Sequence, residues 1–235
     1  MKVLKFQAHG LWGPRQESLE ACAGRLHRYF EALCASTPRF RRWFGGARSK
    51  RKALDRATDV HSIETLTKLL QSGRNRTDIG RKVIEDLGFG VGLWNGATKY
   101  EDEAAVSVHC GAYCKVPGLP WPNSVSIGFP VVLSELGDWQ RSAAILEFTA
   151  KLWEPDFVTV FSNQAQSSRP FAYPFVDWMF YLPDRKYDLP NSIPAAHVER
   201  LDDLGTIIVV QEEPPDPANP EHTRNIERVR DALGL

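Results

Sequence analysis

From Gly88 the helical period of the chain gives way to three short segments in succession, FGVGLWN, AAVSVHCGAY and SVSIGFPVV. They are rich in β-branched and aromatic residues and are punctuated by Asn95-Gly96 and Pro117-Gly118 turn signals. Strands that follow one another across short connections pair antiparallel, because a parallel crossover needs a dozen or more residues, usually a helix. The run therefore argues against a doubly wound parallel sheet. It predicts an α+β fold: a single domain, residues 1–235, with a mixed, mostly antiparallel sheet flanked by helices.

The flanking sequence fills in that outline. Residues 3–8 read as an opening strand, ended by Gly10, Gly13 and Pro14. Leu19, Cys22, Ala23, Leu26, Tyr29, Phe30 and Leu33 recur at spacings of three and four, which predicts a helix over 17–35 that Pro38 terminates. RFRRWF (39–44) reads as a short strand with Phe40 and Phe44 turned inward. Helices are expected over 62–71, with Ser62 as N-cap, over 78–87, and over 139–153, with Ala143, Leu146, Ala150 and Trp153 on one stripe. FVTVFS, DWMFYL and GTIIVVQ read as strands, the last two separated by a proline-rich loop. A final helix begins at Asn219 or Glu221 and runs to Leu233.

The chain balances 29 Lys/Arg against 29 Asp/Glu. Residues 1–100 hold 19 bases and 9 acids, whereas 101–235 hold 10 and 20. Such an asymmetry steers association with charged partners without bearing on the fold. The N-terminus lacks the apolar core of a signal peptide, and no apolar run approaches the ~20 residues that span a bilayer. The expectation is a cytoplasmic protein with no membrane partner. Four cysteines fit a reducing compartment.

No residue pattern declares an enzyme. Cys110 and Cys114 are spaced CxxxC with no second ligand pair, and buried thiols explain them. None of the six histidines lies in a nucleophile elbow, and GFGVG (88–92) is neither a P-loop nor a dinucleotide fingerprint. No catalytic residue, cofactor or metal is expected. Within the basic run RFRRWFGGARSKRKALDR (39–56), the segment Arg39–Lys52 offers a nucleic-acid alternative, with Trp43 or Phe44 stacking on a base and Arg39, Arg41, Arg42, Arg48, Lys50, Arg51 and Lys52 on phosphates. The neutral total argues against it, since nucleic-acid modules are usually strongly basic.

An ordered set of motifs spans nearly the whole chain: GLWGPRQESLE, SGRNRTD, DLGFGVGLWNG, VHCGAY, PNSVSIGFP, KLWEPDFVTVFS, DWMFYLP and LGTIIVVQEEP. Together they resemble the bacterial immunity protein 52 family. Asp177 stands in DWMFYL where the family pattern has glycine. The resemblance implies an antitoxin that blocks a cognate, restriction-endonuclease-like nuclease toxin, often one delivered by type VI secretion, by lying on it. Candidate toxin contacts are the acids Glu101, Asp102, Glu103, Glu212, Glu213 and Asp216, which would oppose a basic DNA cleft, and the bases Arg41, Arg42 and Arg51, which would reach active-site acids. The motif residues Trp12, Arg15, Glu17, Trp94, Asn95, Trp153 and Glu154 also have an ordinary explanation in turn-locking and packing over the sheet.

Overall fold

The computed structural model describes residues 5–115, 117–118, 120–130, 139–168 and 173–235. In chain order the elements are β1 (Phe6–Trp12), α1 (Leu19–Ser36), β2 (Phe44–Gly45), α2 (Lys50–Leu54), α3 (Ile63–Ser72), β3 (Phe89–Trp94), β4 (Ala105–Cys110) and β5 (Asn123–Gly128). They continue with α4 (Trp139–Trp153), β6 (Phe157–Ser162), α5 (Asn163–Ser168), β7 (Met179–Pro183), β8 (His197–Leu201), β9 (Gly205–Val209) and α6 (Pro220–Leu233). The fold is α+β, with an antiparallel sheet whose nine strands among the described residues run β2-β3-β4-β5-β1-β6-β7-β9-β8.

Two compact units emerge. One comprises the described parts of Leu11–Thr98 and Glu103–Ile127. Here α1 starts at Ser18, whose side chain accepts from the Ala21 amide, and buries Cys22, Ala23, Leu26, Tyr29, Phe30 and Leu33. That stripe packs on α3, and α3 packs on β3. Strands β3 and β4 form a hairpin in register from Phe89↔Cys110 to Trp94↔Ala105.

The other unit comprises the described parts of Met1–Gly10, Lys99–Asp102 and Gly128–Leu235. Strands β6, β7 and β9 are buried at every residue, the signature of strands covered on both faces. Helix α4 packs on all three, burying Ala143, Leu146, Ala150 and Trp153. Helix α6 is capped by Asn219, has Pro220 in its first turn, and ends at Gly234 in the left-handed conformation.

Several expectations are corrected. The 78–87 segment is not a helix: Thr77 N–H bonds to Lys82 C=O, Arg76 bridges Val83, and only Glu85–Leu87 winds into a 3-10 turn. Gly80 and Arg81 both adopt positive φ, which ends any helical path. Ile79, which a helix over 78–87 would have to pack or expose, is 92% exposed. RFRRWF is a 3-10 turn, Pro38–Phe40, leading into the two-residue β2, although Phe40 and Phe44 are buried as expected. The proline-rich loop contains β8, an edge strand exposed at its three central residues. The opening strand lies four residues later at its C-terminal end than expected, since Gly10 continues β1. Residues 3–4 of the expected opening strand lie outside the described residues, as do residues 131–132 of the expected SVSIGFPVV strand.

Candidate functional site

Glu17 sits in a cationic bracket just before α1. Its carboxylate meets Arg15 Nε at 3.2 Å on one side and the Arg25 guanidinium on the other, and the side chain is only 9% exposed. The Arg15 guanidinium also lies 5.2 Å from the ring centre of buried Trp12, and its amide donates to Ala112 C=O at 2.8 Å. Fully buried Asn123 holds the same stretch. Its Oδ1 accepts from Ala112 N–H at 2.8 Å, while its Nδ2 donates to the Gly13 and Ala112 carbonyls. Contact with Cys22, together with burial, drives the Cys110 thiol far above its usual pKa, so it stays neutral and unreactive. All four cysteines are free.

A second cluster forms around the Leu-Trp-Asn-Gly turn. Asn95 closes it: its amide donates to Ala104 C=O, and its Oδ1 accepts from the Ala104 and Ala97 amides at 3.0 and 3.3 Å. Gly96 has φ +77°, and a Cβ there would come within 2.4 Å of the Phe44 ring and 3.1 Å of Leu54. Phe44 pairs with Trp94 across β2 and β3, with ring centres 6.1 Å apart. Arg42 lies 5.5 Å above Phe44. Lys50 lies 5.3 Å above Trp94 and donates to Ala97 C=O at 3.1 Å.

The basic run is thus tied to this turn. Thr58 N–H donates to Trp43 C=O at 2.8 Å and the two residues form a bridge, so residues 44–57 make an excursion closed at its base. Trp43 is 0% exposed; its Nε1 donates to Phe40 C=O, and its ring contacts Phe40 and Phe30. The expected stacking of Trp43 or Phe44 on a base is therefore corrected: both rings are in the core. Arg41, Arg42, Arg48, Arg51, Lys52 and Arg56 are exposed. Among the described residues none pairs with the side chains of Arg48, Arg51, Lys52 or Arg56.

The acidic candidates divide differently. Glu101 and Asp102 form a 3-10 turn with Tyr100, over whose ring Lys5 lies at 4.4 Å. Glu101 is exposed, and Asp102 and Glu103 are half-buried. Glu212 meets His197 Nε2 at 2.8 Å, and that imidazole stacks on Trp139 with ring centres 4.0 Å apart. Glu213 lies 3.8 Å from His222 Nε2, while His222 Nδ1 accepts from Asp216 N–H and Asp216 Oδ1 accepts from Ala218 N–H. The late acids are thus engaged with neighbours in their own loop and in β8 and α6. Sequence reading missed both histidine partners, for His197 lies fifteen residues from Glu212 on a strand that was read as loop.

Trp153 is fully buried at the end of α4. Glu154 takes φ +46° there, and its carbonyl accepts from Arg185, which also bonds Pro155 C=O and Asp156. Buried Asp177 accepts from the Ser162 amide at 3.0 Å, and Ser162 Oγ in turn accepts from Ala165 N–H in α5. Among the described residues no group of three or more His, Cys, Asp or Glu is placed to hold a metal ion, and no helix is long and apolar enough to cross a membrane.

Charge sorts by unit. Among the described residues, the unit holding α1–α3 has 17 Lys/Arg and 10 Asp/Glu, or +7; the other has 10 and 17, or −7.

No curated protein matches the chain. Among solved structures, the Pseudomonas aeruginosa T6SS protein PA0821 is similar, with a TM-score of 0.61 at 11% identity over 98% of this chain and 76% of that one. That likeness is one of fold. The family model described as Immunity protein 52 matches residues 5–235. A match of that extent, carried on the α+β scaffold laid out above, means that this chain belongs to the immunity protein 52 family.

Proposed function

We propose that this chain serves its immunity role by binding a cognate nuclease toxin directly and occluding it, with no catalysis of its own. The family match over residues 5–235 carries the reading. Likeness of fold to a protein described as belonging to type VI secretion is consistent with a toxin delivered by that route. The whole chain acts as one immunity domain in the cytoplasm of the producing cell. Inhibition by occupancy needs a stable scaffold with a charged, specific surface, and needs no nucleophile, cofactor or metal.

The nucleic-acid alternative loses its stacking platform, because Trp43 and Phe44 are buried. The test is co-purification with the nuclease toxin encoded by the neighbouring gene, followed by a DNA-cleavage assay. A stoichiometric complex that abolishes cleavage is the expected result. Undiminished cleavage with this chain in tenfold excess, or no complex at micromolar concentration, overturns the reading.

A further inference from the structure

We propose that the closed excursion 44–57, with Arg41 and Arg42 at its base, is the surface that grips the toxin, and that it takes a carboxylate-rich face of that partner. The inference rests on the toxin-binding reading and says which side of the chain performs it.

Three observations carry it. First, the excursion holds Arg48, Lys50, Arg51, Lys52 and Arg56 against one acid, Asp55. Like charges at such spacing repel, at a cost to the folded state that no ion pair among the described residues offsets. Second, Arg48, Arg51, Lys52 and Arg56 have no side-chain partner among the described residues, whereas Glu212, Glu213 and Asp216 already have partners among their neighbours. An unmatched charge loses no internal partner when it docks. Third, the excursion is held in place. The Trp43–Thr58 bridge closes its base. Lys50 anchors α2 to the Asn95-Gly96 turn, and Gly96 lacks the Cβ that would displace Phe44 and Leu54. Holding the segment that carries the cations lowers the entropy they lose on binding.

The aromatic residues that would turn the same cations toward nucleic acid are packed inward, which favours a protein partner. On a nuclease, the carboxylate-rich face of fitting chemistry is the cluster that holds catalytic metal ions.

The experiment measures binding to the toxin domain encoded by the neighbouring gene, kept inactive by withholding divalent metal ions so that its carboxylates stay in place. Variant Arg48→Glu/Arg51→Glu/Lys52→Glu leaves Lys50 in place and alters exposed side chains only. Its affinity should fall about 100-fold, with a flatter dependence on salt. The milder Arg51→Gln/Lys52→Gln should lose about tenfold, which guards against a folding defect in the triple variant. A control, Glu212→Gln/Glu213→Gln, should change affinity less than about threefold. If the wild-type chain binds and both basic variants bind as tightly, the surface assignment fails while the toxin-binding reading stands. If the wild-type chain does not bind at all, the reading and the assignment fall together. Binding of a labelled 20-base-pair duplex at about 50 mM salt that the triple variant abolishes would assign the surface to nucleic acid and overturn the proposal.

Discussion

A carboxylate in a protein core stays there only with donors aimed at it, and Asp177 has one in the Ser162 amide. Asp177→Ala leaves that buried N–H unmatched and should cost about 1–3 kcal/mol, read as a lower urea midpoint; Asp177→Asn keeps an acceptor oxygen and should cost less. His9 shows the opposite relation of burial to charge. Burial holds its pKa below the ordinary 6.5, so the unfolded chain binds that proton more readily than the folded one. Stability from this site is complete above pH 6.5 and is lost as pH falls below it toward the depressed native value. Urea unfolding at about pH 7.5 and about pH 5.5 should show the acid-side loss in the wild-type chain and a smaller one in His9→Gln.

Elements were legible in the sequence where the period was clean. Helix α4 follows its apolar stripe from end to end, and α1, α3 and α6 begin beside the caps Ser18, Ser62 and Asn219. Legibility failed where backbone conformation outvoted composition. Gly80 and Arg81 turn a plausible helix into a tight bend. Strand β8 carries charge because it lies at the sheet edge, where Glu199 and Arg200 discourage further pairing. Of the candidate surface, the cations were visible as a run; the Trp43–Thr58 closure and the Lys50 anchor were not, since each joins residues with no local pattern between them. The turn offers its own test. Gly96→Ala combines a positive φ with a 2.4 Å approach to Phe44, so it should cost about 2–3 kcal/mol and also weaken toxin binding by loosening the excursion. Unchanged affinity in a folded Gly96→Ala variant would separate the turn from recognition.

At the scale of the molecule, neutrality is a cancellation between two units of opposite sign. Association with the toxin should therefore slow about tenfold between about 50 and 500 mM salt, while dissociation changes less, as stopped-flow or surface kinetics would show. A net charge of zero taken at face value predicts the reverse, a rate indifferent to salt. The bridge between Trp43 and Thr58 has a bearing on descent as well. Because both ends of that tract are pinned, its length and its exposed residues can drift while Phe44 and the strand register around it are kept. A lineage confronted with a new antagonist can thus rewrite one short exchangeable cassette and inherit the rest of its fold unaltered.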